Sequence, residues 1–253
     1  MKKLENIPYE DTRLGVQLLD LYLPDASEFP VFIYFHGGGL ESGSKTQKGD
    51  SLYSYLAHHG IAVITADYRL YPKAKYPEFI EDAAAVVNWA HKNIPTFGNV
   101  KGIFIGGSSA GAYLSQMLCF DKKYLAKYGI NSDSMSGYIF NAGQPTTHFN
   151  VLRERGLDTR RVIVDEAAPL YHITENRSYS PMMITLSDHD MTGRHEQTML
   201  LIKTLLHFGF EENNIKFDIM ENSTHCSYIG LKVENGNYVY GDMILEFIKS
   251  VIR

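Results

Sequence analysis

Three separated segments of this chain carry residue types that together could do acyl-transfer chemistry. The first is Gly107-Ser108-Ser109-Ala110-Gly111, a G-x-S-x-G pentapeptide directly after the apolar run Gly102-Ile103-Phe104-Ile105. A strand that turns abruptly into a helix forces its turn residue into a sparsely populated backbone conformation, and small flanking residues let the two elements pack closely. Ser109 is thereby lifted from the sheet edge with its hydroxyl exposed. The second is His36-Gly37-Gly38-Gly39, which follows the buried-strand pattern Val31-Phe32-Ile33-Tyr34-Phe35 and leaves backbone N–H groups bare. Such donors, aimed at the oxygen that becomes negative in a tetrahedral intermediate, are worth about 10²–10³ in rate each. Gly38 and Gly39, with the N–H of Ala110 after the serine, are the candidates for that oxyanion hole.

A nucleophile on such a turn is followed in chain order by an acid and then a base. The apolar run Pro181 to Leu186 opens into Ser187-Asp188-His189-Asp190, which offers two carboxylates at a strand's C-terminal end. The alternating stretch Ile215 to Met220 precedes Glu221-Asn222-Ser223-Thr224-His225. His225 is the expected base: it takes the Ser109 proton while a carboxylate holds its other ring nitrogen and stabilises the imidazolium. His36 is read as orienting the glycine loop, and Asp67 and Arg69 as pinning the loop that follows them. Asp188-His189-Asp190 has no metal-ligand spacing on a regular element, and Gly106-Gly107 lacks the lysine of a phosphate-binding loop. No metal and no cofactor are expected.

With these segments, Asp67-Tyr68-Arg69-Leu70-Tyr71-Pro72 and Tyr76-Pro77-Glu78-Phe79, together with Asp82 and Trp89, resemble α/β-hydrolase carboxylesterases of the hormone-sensitive-lipase-like group. They are also similar to feruloyl and acetylxylan esterases and to arylformamidases. The similarity covers nearly the whole chain. In that group the acid follows a strand in a Gly-x-x-Asp pattern, so the resemblance favours Asp190 over Asp188, with Ser187 where the pattern has glycine. It implies a Ser109–Asp190–His225 triad, attack through an acyl-enzyme, and a small carboxylic ester as substrate. An arylformamidase or other amidase would use the same triad, and a non-enzymatic small-molecule receptor on the same fold is the other alternative. The usual residue after the histidine is glycine or serine; Cys226 departs from it.

The rest of the chain must position these residues. Strands are expected near Leu14–Leu23 (part of an opening hairpin), Val31–Phe35, Ala62–Ala66, Gly102–Ile105, Tyr138–Asn141, Met182–Leu186 and Lys216–Met220. Helices are expected at Lys48–His58, Glu78–Lys92, Ala110–Phe120, His195–Phe208 and Asp242–Ile252, where apolar residues recur at helical spacing. Strands alternating with helices call for a mostly parallel sheet covered on both faces: an α/β-hydrolase fold with about eight strands. Residues 1–253 read as one such domain with a small cap-like insertion around 144–180, containing a short helix near Asp165–His172 and the basic cluster Arg153, Arg155, Arg160 and Arg161. Those arginines read as a solvated face. A small cap implies a shallow, open pocket for short acyl groups.

With 253 residues, 44% hydrophobic and 21% charged, the chain suits one globular core. Its net charge of −5 argues against nucleic acid or an anionic membrane as partner, and no apolar run approaches the roughly 20 residues that span a bilayer. Met1 to Asn6 lacks the apolar core of a signal peptide. Two cysteines, Cys119 and Cys226, fit a reducing compartment, so a cytoplasmic location is expected, with a homodimer implied by the resemblance alone.

Overall fold

The computed structural model describes residues 1–10, 15–47, 50–175, 177–234 and 236–252. Eight strands form one sheet: β1 (Lys2–Pro8), β2 (Leu18–Leu23), β3 (Glu28–Phe35), β4 (Ala62–Ala66), β5 (Asn99–Ser108), β6 (Gly137–Asn141), β7 (Met182–His189) and β8 (Ile215–Thr224). Their spatial order is β1-β2-β4-β3-β5-β6-β7-β8. Only β2 pairs antiparallel, with β1 on one side and β4 on the other; β4 through β8 run parallel. This is the α/β-hydrolase fold that the alternating pattern calls for.

Burial on both faces explains why the inner strands read as continuous apolar runs. Successive side chains of a strand point to opposite faces, and in β3 Val31, Ile33 and Phe35 join one core cluster while Phe32 and Tyr34 join the other. The first face is covered by α2 (Glu78–Asn93), α3 (Ala110–Phe120), α4 (Lys123–Ala126) and α6 (Arg194–His207), which contribute Phe79, Leu114, Leu125 and Leu201. The second is covered by α1 (Asp50–His58) and α7 (Val239–Val251) through Leu56, Ile244 and Phe247. The remaining helix, α5 (Phe149–Glu154), lies in the connection between β6 and β7.

Several boundaries move. The opening strand β2 begins at Leu18, not Leu14, which lies outside the described residues, as do Lys48 and Gly49 before α1. Pairing carries β5 and β8 several residues beyond their apolar cores, because strand length follows the neighbour's reach rather than local hydrophobicity. The helix expected at Asp165–His172 is only a 3₁₀ turn over Pro169–His172, since Pro169 has no N–H to continue a helix from its N-terminal side. The ordered helix of that connection is α5, which begins at Phe149 with Asn150 N–H donating to His148 Nδ1 at 3.2 Å.

Among the described residues, no helix is long and apolar enough to cross a membrane.

Candidate active site

Every proposed site residue sits at the C-terminal edge of the parallel strands, where open α/β sheets bind ligands. Ser109 follows the last residue of β5 and precedes α3, with φ 54° and ψ −113°. Few non-glycine residues adopt that conformation. It is held by packing on both flanks: a Cβ added to Gly111 would lie 2.0 Å from the Phe35 carbonyl oxygen, and one on Gly107 would lie 2.5 Å from the same atom. Strand β3 and helix α3 therefore approach as closely as backbone allows. Ser109 N–H donates to the Asn141 carbonyl at 2.8 Å, anchoring the turn to β6.

His225 bridges Ser109 and Asp190. Its Nε2 lies 2.9 Å from Ser109 Oγ and its Nδ1 lies 2.5 Å from Asp190 Oδ1. The tautomer that completes both bonds carries its proton on Nδ1, donated to the carboxylate, and accepts from the serine hydroxyl at Nε2. Burial opposes a charge on Asp190, whose side chain is 2% exposed. The hydrogen bond and charge of His225, with N–H donation from Met191 at 2.7 Å and Ser187 at 3.2 Å, outweigh that penalty and hold its pKa below the ordinary carboxylate value. The acid is thus ionised where its charge faces an imidazolium.

Asp188, the other carboxylate of the loop, turns away from His225. It accepts from the backbone N–H groups of Ser223 at 2.9 Å and Asn222 at 2.7 Å. Those bonds, Ser223's foremost, lower its pKa to about 2. Its work is to tie the end of β7 to the strand that delivers His225. Ser187 adds a second tie, its hydroxyl donating to the Thr224 carbonyl at 2.6 Å.

The glycine loop faces the same space. Gly38 has φ 114°, and a Cβ there would lie 2.0 Å from the Ser42 carbonyl oxygen. The Gly38 carbonyl accepts from the N–H groups of Glu41 and Ser42, whereas the N–H groups of Gly38 and Gly39 donate to no other described residue. Ala110 N–H, in the first turn of α3, is among those a helix leaves unpaired. His36 supports this loop as its sequence position suggests. Its Nδ1 bonds the Gly37 carbonyl at 2.7 Å, its ring stacks on Tyr68 at 4.3 Å between centroids, and burial pushes its pKa down to about 4. Tyr68 O–H donates to the His36 carbonyl at 2.8 Å, and Asp67 accepts from Lys45 N–H at 2.7 Å. Arg69 spans Asp82 and Glu78, fixing the following loop to α2.

Two supporting groups escaped sequence reasoning. Beneath Ser109, Ser108 Oγ accepts from Tyr34 O–H and from Asn141 Nδ2, each at 2.8 Å, while Asn141 Oδ1 accepts from the hydroxyls of Tyr228 and Thr185. The only sequence sign was a single polar residue within each apolar run, Tyr34, Asn141 and Thr185. The other group is on α5: Asn150 Nδ2 donates to the Gly39 carbonyl at 2.7 Å, and Arg153 pairs with Glu41. The connection between β6 and β7 therefore grips the glycine loop. Arg155 pairs with Asp165 and Arg160 with Asp158, so three of the four arginines of that segment are occupied by carboxylates.

Gly38, Gly39, Ser109, His225, Cys226, Phe149 and Met191 enclose a cleft of about 400 Å³. Cys226 is buried at the turn after His225 with φ 58°, and Cys119 is buried on α3. They form no disulfide.

The fold and this constellation define an α/β-hydrolase with its serine, histidine and carboxylate in line. Comparison with known proteins finds esterases similar to parts of this chain. The family described as BD-FAE matches residues 19–138. Esterase LipC of Mycobacterium tuberculosis is 26% identical over 212 residues, covering 75% of this chain and 52% of LipC. An acetyl esterase of Salmonella schwarzengrund is 36% identical over 97 residues, covering 38% of this chain and 30% of that protein. The chain thus spans about half of LipC and less than a third of the acetyl esterase. Among solved structures, a truncated carbohydrate esterase from gut microbiota superposes with a TM-score of 0.79 at 18% identity, covering 100% of this chain and 96% of that one. Thermogutta terrifontis esterase 2, phosphoramylated by tabun, gives 0.75 at 21% identity with 98% and 92% covered. The chain is similar to LipC and the acetyl esterase over those stretches, and to the two solved structures in fold.

Proposed function

We propose that this protein is a serine hydrolase of small carboxylic esters. The observation that carries the reading is the unbroken line Ser109 Oγ, His225 Nε2, His225 Nδ1, Asp190 Oδ1, with both contacts at hydrogen-bond distance. Ser109 attacks the ester carbonyl carbon while His225 takes its proton, and the charge left on oxygen is met by the N–H groups of Gly38, Gly39 and Ala110. Collapse of the intermediate expels the alcohol, which receives the proton from His225. Water then attacks the acyl-enzyme by the same route, returning Ser109. Asp190 keeps the imidazole in the productive tautomer and balances its positive charge. Esterase relatives and neighbours, one of them modified by an organophosphorus agent, support the same assignment.

One hydrolase unit spans the chain in this reading, and the 144–180 connection walls the cleft through Phe149 rather than roofing it. A cleft of about 400 Å³ suits short acyl groups. A cytoplasmic location and a homodimer through the last strand or helix belong to the same proposal.

The deciding experiment is hydrolysis of 4-nitrophenyl esters from acetate to decanoate, beside an arylformamide, with Ser109→Ala as control. Turnover confined to the short esters and lost in the variant is the expected result. Formamide turnover without ester turnover would transfer the assignment to an amidase, and silence on all substrates would overturn the enzymatic reading.

A further inference from the structure

Phe149 and Met191 also line a second cavity, of about 650 Å³, next to the cleft. The two share those side chains as a common wall. Its lining includes Arg160, Arg161 and Arg194 together with Gln144, Thr192 and Gln197, and no carboxylate among the described residues. Arg160 is exposed and already paired with Asp158. Arg194 is different: the residue is 5% exposed, yet its Nε and Nη1 have no hydrogen-bond partner. Among the described residues its only side-chain contact of that kind is Nη2 to Met191 Sδ at 4.0 Å, a weak acceptor.

A buried guanidinium without a counter-ion is expensive, and native proteins pair such groups or use them. Burial pushes the Arg194 pKa down, while Asp190 and Cys226 oppose that shift, so the nearest balancing charge belongs to the triad acid. Asp190 is engaged with His225, Met191 and Ser187, and makes no ion pair with Arg194. Arg194 also stands in the first turn of α6, a 14-residue helix whose N-terminal end adds partial positive charge to the same cavity. Chain geometry keeps it near the reacting centre: Arg194 N–H donates to the Met191 carbonyl at 2.9 Å, and Met191 directly follows Asp190.

We infer that this cavity is an anion subsite and that the protein's preferred esters carry a carboxylate or similar anion on the half of the molecule that reaches past Phe149 and Met191, where Arg194 receives it. The inference rests on the esterase reading for its kinetic consequence but not for binding itself. A charge-assisted pair in a desolvated site favours the anionic ester over a neutral isostere by roughly 10- to 100-fold in kcat/KM.

Two matched pairs test it. In the first the acyl half carries the charge: mono(4-nitrophenyl) glutarate against its glutaramate analogue. In the second the alcohol half does: 4-acetoxybutyrate against 4-acetoxybutyramide. A preference of tenfold or more for the carboxylate in either pair supports the subsite and tells which half of the substrate occupies it. Arg194→Met should reduce that ratio at least tenfold, and Arg194→Lys should keep part of it. Free glutarate should inhibit hydrolysis of a neutral ester competitively, less so as salt rises. If the Arg194 variants do not fold, the wild-type ratios and the glutarate inhibition decide. Ratios near one in both pairs, with no inhibition by glutarate, overturn the inference while leaving the esterase reading intact. Should none of the four esters react, the esterase reading fails. Calorimetric titration of glutarate into the wild-type protein then decides the subsite, with heat of binding supporting it and its absence refuting it.

Discussion

Replacing Asp190 with asparagine tests the core of the site, because the surrounding donors fix how the new amide must sit. Asp190 Oδ1 accepts from both His225 Nδ1 and Met191 N–H, and Oδ2 accepts only from Ser187 N–H at 3.2 Å. An asparagine with its NH₂ at the Oδ1 position would confront two donors. With its NH₂ at the Oδ2 position it confronts one, at the end of the longest of the three bonds. The second orientation is favoured, so the variant keeps a carbonyl oxygen on His225 and retains the productive tautomer. What it loses is the negative charge facing the imidazolium, in a place where the side chain is 2% exposed. Removing one partner of a buried charge pair costs about 3–5 kcal/mol, which in a transition state that carries the imidazolium lowers kcat about 10²- to 10⁴-fold. Asp188→Asn removes no charge from the imidazolium; it weakens the tie between β7 and β8 and is expected to lower Tm while reducing kcat less than about tenfold. The assay is steady-state hydrolysis of 4-nitrophenyl butyrate with Tm recorded for each protein. A larger kcat loss in Asp188→Asn than in Asp190→Asn would refute the assignment of the acid.

Other outcomes follow from the same geometry. Ser109→Ala should abolish covalent labelling by a fluorophosphonate, and persistent labelling would identify a different nucleophile. Gly38→Ala places a Cβ 2.0 Å from the Ser42 carbonyl oxygen at φ 114°; the loop must refold, and kcat should fall about 10²- to 10³-fold, as for loss of one oxyanion donor. Gly111→Ala puts a Cβ 2.0 Å from the Phe35 carbonyl oxygen and should destabilise the protein by about 3 kcal/mol or more in a urea titration; an unchanged midpoint would mean that β3 and α3 are not so closely apposed. His36 is held neutral, its pKa lowered from 6.5 to about 4 by burial. The unfolded chain therefore binds a proton that the folded one refuses as pH falls from 6.5 to 4. Stability should decline across that window by about 3 kcal/mol from this residue, at 1.4 kcal/mol per pH unit. His148, buried with its pKa also depressed, acts in the same direction. Tm measured from pH 7 to 4 should fall, and His36→Asn should flatten the slope; an identical slope in the variant would remove His36 as its source.

How much of this was legible in the sequence depended on whether the local pattern was also the structural cause. Strand β4 and helix α3 match their expected bounds, Ala62–Ala66 and Ala110–Phe120, because an apolar run between turn residues determines both. Ser109 was legible because its backbone demands small residues at Gly107 and Gly111, and that demand is written in the chain. Asp190 was not separable from Asp188 by residue type. The choice between them depends on which carboxylate the β8 backbone N–H groups claim, and that is a matter of how two strand ends meet. Asn141, Tyr34 and Tyr228 were silent for a similar reason: each is one polar residue in an apolar context, and the convergence of Tyr34 and Asn141 on Ser108, with Tyr228 on Asn141, appears only when β3, β5, β6 and the segment after His225 are assembled.

The arginines make the same point from the opposite side. The cluster Arg153, Arg155, Arg160 and Arg161 draws the eye as a charge run, yet Arg153, Arg155 and Arg160 are answered by Glu41, Asp165 and Asp158. Arg194 is an unremarked residue at the start of an amphipathic helix, and it alone of these has its guanidinium buried with two unpartnered nitrogens. Density of charge along the chain is a poor guide to function because neighbouring carboxylates discharge it at little free-energy cost in water. Isolation of a charge inside the fold is a better one, since desolvation without a partner costs several kcal/mol that folding alone gives no reason to incur. The triad and Arg194 obey one rule: at the C-terminal edge of this sheet, Asp190 is held ionised against burial for the sake of His225, and Arg194 is held charged against burial with its complement still to come from the substrate.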